Sequence, residues 1–465
     1  MDKTRLLTKL ILSKKSLLLF LTIVFFSFSI ILTYDSVHYL SYVSIFEGNS
    51  PTSSWDIVRG PVFPTIIYLS DILFGKTSTG ILICTFIFYL SFSAICFIIC
   101  NEFSKKYKHK KIINAIVLSY IVLNPLIFGY FHVLLTEFVA ITITMLNILF
   151  SYKWIFTDAN HKKNLILYSI FFIITTILCW HLKQPYIVIA ITPMLTAGII
   201  SITKNRTKFN ILYRISTIAS TIIFLIISII TWDGILNAMQ VNKNTDRDSS
   251  SILSSQINTT YELPDSNHGN GLSALINEFF HNPIKIISLY TRNYCSLTST
   301  CKVSSVDGVN YVSTNELEPI ETYENTAIGY ATYNKTENIF QVTDEMKPLA
   351  SSYVTPVSKS IFRPFMKILT YPTNILFKII TICCPVITII ILIIKMKTKN
   401  KKYNNIFYLS IILLTTATFH LLLSSAALVI DRYAIEAFTP ALLGSFGTVT
   451  YIYQITKNNK REKNA

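Results

Sequence analysis

The sequence predicts an all-α integral membrane protein with about ten transmembrane helices, further juxtamembrane helices and one large mixed outer loop. Hydrophobic residues make up 51% of the 465 residues and charged residues only 14%, well below the roughly 25% of a soluble domain. Mean hydropathy is +0.48. Apolar runs long enough to cross a bilayer recur along the chain. The predicted spans are 16–34, 79–100, 112–130, 137–156, 164–180, 185–202, 211–231, 372–394, 405–430 and 436–455.

The first span depends on the run from Ser16 to Thr33, which contains 18 residues and no charge. At about 1.5 Å of rise per residue, this run can cross a bilayer as a helix. The apolar stretch 62–74 has only about a dozen residues. We therefore predict that it forms an interfacial or re-entrant helix rather than a crossing.

The charge distribution predicts the orientation. With the N-terminus in the cytoplasm, the inward segments hold 26 of the 41 Lys and Arg residues and only four of the 25 Asp and Glu residues. Every inward segment is then basic, as the positive-inside rule requires. The net charge of +16 is therefore interpreted as a topology signal and as a contact with anionic inner-leaflet lipid, not as a nucleic-acid surface. The predicted location is the cell membrane, as a multi-pass protein.

Three regions follow from these spans. Residues 1–231 form a membrane region with a first outer loop at 35–78. Residues 232–371 form a large extracytoplasmic loop or cap, and residues 372–465 supply the C-terminal membrane helices and a basic cytoplasmic tail.

The large loop is uneven in composition. Residues 242–270 are polar and rich in turn formers, which predicts a flexible segment. Residues 272–294 have a helical apolar period that breaks at an Asn-Pro pair. Residues 303–347 are predicted to be an irregular or partly β cap. The basic and apolar segment 357–370 suits the outer membrane surface.

Asp35 follows the first span in the string TYDSVHYLSYVSIFEG. Tyr39 comes four residues later, on the same face if the segment is helical. A carboxylate where a membrane helix emerges is costly unless it has a function or a partner. Other short motifs accompany this pair: Arg59-Gly60-Pro61-Val62-Phe63-Pro64 through Leu73-Phe74-Gly75, Thr136-Glu137, Asn282-Pro283 and Asp431-Arg432-Tyr433.

Together these motifs resemble the GT-C glycosyltransferases, which include the protein O-mannosyltransferases and the lipid A aminoarabinose transferases, over about residues 16–450. Many members carry an acid directly after the first Asp, whereas this chain has Ser36. The resemblance implies a GT-C-like fold and a polyprenyl-phosphate-sugar-dependent glycosyltransferase. Such an enzyme moves a sugar onto a cell-envelope glycan, lipid or protein acceptor, with its active site on the extracytoplasmic side.

The resemblance also implies roles for two acids. Asp35 would be the general base that takes the acceptor proton. Glu137 would be a second catalytic acid that positions the acceptor or pairs with a cation, although a helix N-terminal acid stabilised by the dipole also explains it. The partners implied are a polyprenyl-phosphate sugar donor, membrane lipid and the acceptor, with no nucleic acid. No cofactor is firmly implied, and no residue pattern supports a divalent metal.

Cations near the outer membrane face are needed to hold the leaving phosphate. The candidate substrate-binding residues are Tyr39, Arg59, Lys183, Arg292, Arg432 and Tyr433. The compact charge of Lys183 suits a phosphate. Two alternatives remain: Arg432 pairs with Asp431, or the cations extend to the outer headgroups.

Four further residues lie at predicted outer span ends. We interpret His38, His132 and His181 as hydrogen-bonded interfacial histidines, with proton transfer or phosphate binding by one of them as the alternative. Trp55 is interpreted as an interfacial anchor, with stacking on a sugar as the alternative.

Other functions stay open at this stage. A lipid-linked glycan polymerase uses the same carrier, and a flippase or transporter is also a basic polytopic protein. A transporter should carry charges deep in its spans, whereas the charges here cluster at the outer ends. A non-catalytic membrane receptor or assembly protein would tolerate loss of Asp35. Cys295 and Cys301 face the oxidising side, where they either pair or stay thiols.

Overall fold

The computed structural model describes most of the predicted membrane region and short pieces of the large loop. The described residues are 14–32, 34–55, 59–105, 107, 109–157, 162–204, 206–241, 257–258, 261, 263, 271–299, 302–306, 309–313, 332–334, 339–341, 353, 360–398, 403–427 and 434–463. Within them the helices are α1 (Lys14–Phe26), α2 (Tyr34–Phe46), α3 (Val62–Phe74), α4 (Ser78–Ser104), α5 (Lys110–Val122), α6 (Pro125–Tyr130), α7 (Glu137–Ile155), α8 (Lys162–Leu182), α9 (Ile187–Lys204), α10 (Lys208–Ala238), α11 (Gly271–His281), α12 (Pro283–Ser299), α13 (Arg363–Thr398), α14 (Asn404–Ala427) and α15 (Ile435–Lys463). Short 3-10 helices cover Thr52–Ser54 and Gln184–Tyr186.

Seven of these helices are long and apolar enough to cross a membrane: α4, α7, α8, α9, α10, α13 and α14. Each coincides with a predicted span, so the prediction of a helical, multi-pass membrane protein is confirmed at this level. The spans predicted at 16–34, 112–130 and 436–455 are not among these seven helices, so the count of ten stays a prediction. The short helix predicted at 62–74 is present as α3, with 13 residues.

The segment predicted as the first span is interrupted. α1 ends at Phe26, and α2 begins at Tyr34. Between them, Ile31 pairs with Val133 in a parallel β-bridge, and the Ile31 N–H donates to the His132 carbonyl over 2.6 Å. The prediction of one continuous helix was wrong here, because the backbone groups of this segment find their partners in a neighbouring loop rather than in a helical turn.

The predicted span 112–130 is divided at Asn124. The Asn124 side chain caps α6 by accepting from the backbone N–H groups of Leu126 and Ile127 at 3.1 and 3.2 Å. Pro125 occupies the first position of α6, where its missing N–H costs nothing. The Asn-Pro pair therefore ends one helix and starts the next.

α13 begins at Arg363, earlier than the start predicted at residue 372. It runs without interruption from Arg363 to Thr398, with Pro372 and Pro385 inside it. Its 36 residues extend for about 54 Å. The segment predicted to lie separately on the surface at 357–370 therefore continues, from Arg363 onward, as the first turns of the same helix.

α7 lies at the centre of the helices. Within its span, 83% of the residues are buried, against 17% in α10. It packs mainly against α4 and α9, and also against α8, α14 and α15. Polar side chains on α7 are therefore enclosed by protein rather than by lipid.

α14 and α15 approach closely because two glycines of α15 face bulky groups. A Cβ atom at Gly447 would overlap Ser410 Oγ and the Phe103 ring, and one at Gly444 would meet Leu414 Cγ at 2.7 Å. These contacts fix an antiparallel register between the two helices. The first turn of α15 consequently lies beside the second half of α14.

The described parts of the large loop contain helices and hairpins. α11 and α12 meet at Asn282, as the Asn-Pro pair predicts. Strands β1 (Lys302–Val306) and β2 (Val309–Ser313) form one antiparallel hairpin, and β3 (Thr332–Asn334) and β4 (Ile339–Gln341) form another. These strands fall in the region predicted to be irregular or partly β, and its role as a cap stays a prediction. Cys301 lies outside the described residues, so its predicted pairing with Cys295 stays a prediction.

The segment predicted as flexible at 242–270 includes a packed part. A small apolar cluster joins this segment to α12, and its buried members are Ile257, Tyr261, Leu263, Ile286 and Leu289. Apart from Asn258, the remaining residues of 242–270 lie outside the described part.

Candidate functional site

Asp35 and Tyr39 lie on one face of α2, as their spacing predicts, and Arg59 joins them. Arg59 Nη2 lies 3.3 Å from Asp35 Oδ1, and Arg59 Nη1 donates to the Tyr39 hydroxyl over 3.0 Å. Asp35 is only 8% exposed, and Tyr39 is buried. The guanidinium carbon also lies 5.4 Å from the centroid of the Tyr39 ring. The three predicted residues therefore form one contact group.

Arg59 is held in place by the residues that precede it. The indole of Trp55 donates to the Arg59 carbonyl over 2.8 Å. The same indole stacks on Tyr42 at 4.6 Å and meets Trp232 edge to face at 5.7 Å. Trp55 is buried, so these contacts explain it as an anchor for Arg59.

The turn that carries Lys183 packs against the same loop. A Cβ atom at Gly60 would overlap the His181 carbonyl oxygen, so only glycine fits beside this turn. The His181 ring is 2.7 Å from Ser228 Oγ on α10. Lys183 follows α8 and is partly buried. The structure thus brings the Arg59 loop and the Lys183 turn into contact through Gly60 and His181.

Glu137 opens α7 and is 0% exposed. Thr136 Oγ1 donates to Glu137 Oε2 over 3.3 Å and lies 3.3 Å from the Tyr186 hydroxyl. Tyr186 lies three residues after Lys183, so this contact joins Glu137 to the Lys183 turn.

The start of α7 is also connected to α2. Ser36 Oγ donates to the Leu134 carbonyl over 2.7 Å. The ring of Phe63 lies 4.6 Å from that of Tyr39 and 5.8 Å from that of Phe138. Asp35, Arg59, Glu137 and the Lys183 turn therefore belong to one end of the molecule, the end predicted to face outward.

Two ionisable residues at this end were missed from the sequence. Glu436 lies in the first turn of α15 and His420 in α14, and each is 1% exposed. His420 Nε2 lies 3.6 Å from Glu436 Oε2. Glu436 opens a predicted span in the same way as Glu137, and this position could have identified it. His420 gave no such signal, because it lies inside an apolar run.

Three predicted residues remain, namely Arg292, Arg432 and Tyr433. Arg292 is exposed on α12, a helix whose Tyr290 and Tyr294 hydroxyls donate to the Leu422 and Thr381 carbonyls at 2.9 and 2.8 Å. Arg432 and Tyr433 lie outside the described residues, so their roles stay predictions.

His132 is held by backbone carbonyl groups. Its two ring nitrogens lie 3.0 Å from the carbonyl oxygens of Phe128 and Phe25. Burial lowers the pKa of His132 to about 4. Its contacts tie the loop before α7 to the end of α1, in agreement with the interpretation of a hydrogen-bonded histidine.

Within the described residues, no group of three His, Cys, Asp or Glu side chains is arranged to hold a metal ion. No family model, curated protein or solved structure matches this chain. The functional conclusion therefore depends on the site itself.

Proposed function

We propose that this protein is a glycosyltransferase that moves a sugar from a polyprenyl phosphate to a cell-envelope acceptor at the outer membrane face. One observation carries the proposal. A carboxylate, a guanidinium and a phenol, those of Asp35, Arg59 and Tyr39, meet in a largely buried group at the ends of apolar helices. Ionisable groups at such a position pair with one another and mark candidate functional sites.

The proposed reaction needs a base and a cation in close proximity. Asp35 takes the proton of the acceptor hydroxyl as that oxygen bonds to the anomeric carbon of the sugar. The bond from this carbon to the phosphate oxygen breaks, and the lipid phosphate leaves with the electron pair. Arg59 and Lys183 stabilise the charge that builds on the phosphate. Glu137 accepts a hydrogen bond from the acceptor and orients it.

An apolar groove gives further support for a lipid-linked donor. It has a volume of about 410 Å³ and lies between α4 and α7, with lining residues Ile87, Phe88, Ser91, Ile95, Thr142, Ile143 and Leu146. Phe88 contacts Phe138, the neighbour of Glu137, at 5.2 Å between ring centroids. The contact between Phe88 and Phe138 thus joins the groove to the start of α7, and the apolar walls of the groove suit an isoprenoid chain.

The test combines cells and purified protein. Deleting the gene should cause an isoprenoid-phosphate sugar to accumulate, which mass spectrometry of extracted lipids would detect. The purified protein in lipid nanodiscs should release polyprenyl phosphate from that lipid only when an acceptor fraction of the envelope is added. An unchanged lipid profile, together with no release, would remove the proposal.

The orientation has its own test. Single cysteines replacing Thr52, before α3, and Thr456, near the end of α15, both occupy exposed positions. In a background without Cys295 and Cys301, an impermeant thiol reagent should label Thr52→Cys in intact cells and Thr456→Cys only after the membrane is opened. The reverse pattern contradicts the proposed orientation.

A lipid-linked glycan flippase is the second candidate. It is favoured by buried polar groups in the middle of α7: within the described part of the chain, neither polar side-chain atom of Asn147 nor the Ser151 hydroxyl has a hydrogen-bond partner. Such groups suit a wet path for a polar headgroup. Reconstituted vesicles distinguish the two functions, since a flippase moves the labelled lipid across the bilayer without changing its mass.

A further inference from the structure

α11 and α12 expose large apolar side chains, although both helices belong to the loop that is predicted to lie outside the membrane. In α11 these are Ile276, Phe279 and Phe280, whose exposed fractions are 51%, 42% and 77%. In α12, Ile284 and Ile287 are 83% and 55% exposed. Within each helix the spacing of three or four residues places these side chains on one face. The proposed transfer reaction uses none of them, so this apolar row needs its own explanation.

The opposite side of α12 is bound to two helices that are long and apolar enough to cross a membrane. The Tyr290 hydroxyl donates to the Leu422 carbonyl of α14 over 2.9 Å. The Tyr294 hydroxyl donates to the Thr381 carbonyl of α13 over 2.8 Å. Leu297, three residues after Tyr294, is fully buried on the same side of α12. α12 therefore lies directly against α13 and α14.

The two tyrosine contacts give the depth of α12. Thr381 lies in the run 379–394 of α13, which contains no Asp, Glu, Lys or Arg. Leu422 lies in a similar run of α14, 403–430. The two carbonyls are 17 and 18 residues from the opposite ends of their helices, which corresponds to about 26 Å. A hydrocarbon core is roughly 30 Å thick. The two hydroxyls therefore lie at the level of the leaflet next to the large loop, which is the outer leaflet in the predicted orientation.

The surface of α13 beside this contact faces lipid. Ile379 and Ile382 lie on either side of Thr381 in the sequence and are 54% and 39% exposed. Only 33% of the membrane window of α13 is buried inside the protein, so the rest of this window borders acyl chains. A helix that binds α13 at Thr381 borders the same acyl chains. The apolar row of α11 and α12 is thus next to a surface that the bilayer already covers.

The exposed flanks of α12 differ in charge. Ile284 and Ile287 follow one flank, and Lys285 and Arg292 are exposed on the other, seven residues apart and therefore on one face. Lys285 Nζ also lies 3.5 Å from Glu278 Oε1, in an ion pair across the break between the two helices. An interfacial helix has this arrangement, because its apolar flank enters the acyl chains while its basic residues stay level with the lipid phosphates.

We propose that α11 and α12 are inserted in the outer leaflet, where the apolar row contacts acyl chains and Lys285 and Arg292 bind phospholipid phosphates. The partner is the bilayer itself rather than the polyprenyl-phosphate donor, so Arg292 is assigned to headgroups and not to the leaving phosphate. The large loop is then attached to the membrane through α11 and α12. This insertion does not depend on the function proposed above.

The first arm of the test identifies what covers the apolar row. It uses the full-length protein in nanodiscs of phosphatidylcholine and phosphatidylglycerol. After illumination, Ile287→p-benzoylphenylalanine should carry a phospholipid adduct that mass spectrometry detects, and so should Ile382→p-benzoylphenylalanine on α13. Thr52→p-benzoylphenylalanine, at an exposed position of the first outer loop, should carry none. Absence of a lipid adduct at position 287, or a cross-link from it to a second copy of the chain, would overturn the proposal.

The second arm compares two neighbouring positions of α12 that are both exposed. A carboxylate is costly among acyl chains, so Ile287→Asp should loosen α12 and speed amide hydrogen exchange over 283–295 by about tenfold. Ser288→Asp puts the same carboxylate between Lys285 and Arg292 and should change the exchange little. If α12 faced water, the two substitutions would have equal effects, and that result contradicts the insertion. Both arms are measured without a transfer assay, so failure of the proposed function and failure of the insertion are separate outcomes.

Discussion

The two ends of α7 bury charge in different ways. Close to its C-terminal end, Arg214 of α10 is 1% exposed. Arg214 Nη2 donates to the Thr157 carbonyl and Arg214 Nε to Asn210 Oδ1, both over 3.2 Å. The guanidinium also lies 4.2 Å from the Trp154 ring centroid. At the N-terminal end of α7, acids accumulate instead, with Glu137 in the helix and Glu436 beside it.

The helix dipole explains most of this arrangement. A cation is favourable at a helix C-terminus and an acid at a helix N-terminus. Arg214 binds the carbonyl of Thr157, two residues beyond the end of α7, and Glu137 is the first residue of α7. The dipole therefore accounts for Arg214 and favours an acid at the position of Glu137. Glu436 also lies in the first turn of a helix, α15, but as a second acid next to Glu137 it adds repulsion that the dipole does not explain.

The two ends therefore differ between residues that stabilise the fold and residues that serve the proposed transfer reaction. Substitutions at the Arg214 end should change the free energy of unfolding. Substitutions at the acidic end should change the rate of transfer. Each of the following substitutions tests one side of this difference.

The largest expected effect is that of Asp35→Asn. Losing a positioned general base should lower the rate of transfer by about 10²–10⁴-fold, while insertion and abundance stay normal. Initial rates of polyprenyl phosphate release from the purified variant measure this effect. The matched control is Glu47→Gln, which breaks the 2.7 Å ion pair between Glu47 and Lys76 at the other end of α2. Near wild-type activity of Asp35→Asn would remove the assignment of Asp35.

Lys183→Ala should have the next largest effect. A cation that meets the departing phosphate stabilises charge that forms only as the bond breaks, so removing it should cost about 10²-fold in kcat. Donor KM should rise as well, and acceptor KM should change little. Separate titrations of donor and acceptor make this comparison. Unchanged constants for the donor would mean that Lys183 only contacts headgroups.

Arg214→Met tests the other end of α7. It leaves the Thr157 carbonyl and the Asn210 side chain without their donor, which should cost about 1–3 kcal/mol of stability. The rate per folded molecule should not change. Thermal unfolding in detergent, measured beside transfer activity, checks both statements. For comparison, Glu436→Gln should leave the unfolding temperature unchanged or raise it, since it removes repulsion. A lower rate with unchanged unfolding of Arg214→Met would contradict the division between the two ends.

The same division explains what could be predicted from the sequence. Local patterns were sufficient where the deciding contacts are local: the i, i+4 spacing placed Asp35 and Tyr39 on one face, and the Asn-Pro pair placed the break between α11 and α12. The break after Phe26 was missed because its hydrogen bonds come from residues 132–134, about a hundred positions away. No local pattern reports such a partner.

The acidic end was predicted only in part for the same reason. A charge is conspicuous at the boundary of an apolar run. Four of the charged residues at this end lie at such a boundary: Asp35, Arg59, Glu137 and Lys183. His420 lies within the apolar run 405–430, and its partner Glu436 is joined to it only by the packing of α14 on α15. That packing depends on Gly444 and Gly447, whose role is visible only once the helices are in contact.

The smallest expected effect concerns the attachment of the large loop. Tyr353 is buried, and its hydroxyl donates to Asp71 Oδ2 on α3 over 2.5 Å. Burial raises the pKa of Asp71 above its usual value, and the Tyr353 bond partly opposes that shift. Because a hydrogen bond to an ionised carboxylate is stronger than one to a neutral carboxyl, Tyr353→Phe should loosen the loop more when Asp71 is ionised.

The expected cost of Tyr353→Phe is about 1–2 kcal/mol at neutral pH, and it should shrink as the pH falls through the pKa of Asp71. Hydrogen exchange of α3 and of the loop around Tyr353, followed at neutral and at acidic pH, measures this difference. Tyr371→Phe is the matched control, since Tyr371 is 75% exposed on α13. Asp71→Asn should remove the pH dependence, because the substituted side chain no longer ionises. A loss of protection that is equal at both pH values would mean that Tyr353 holds the loop by packing alone, without help from the charge of Asp71.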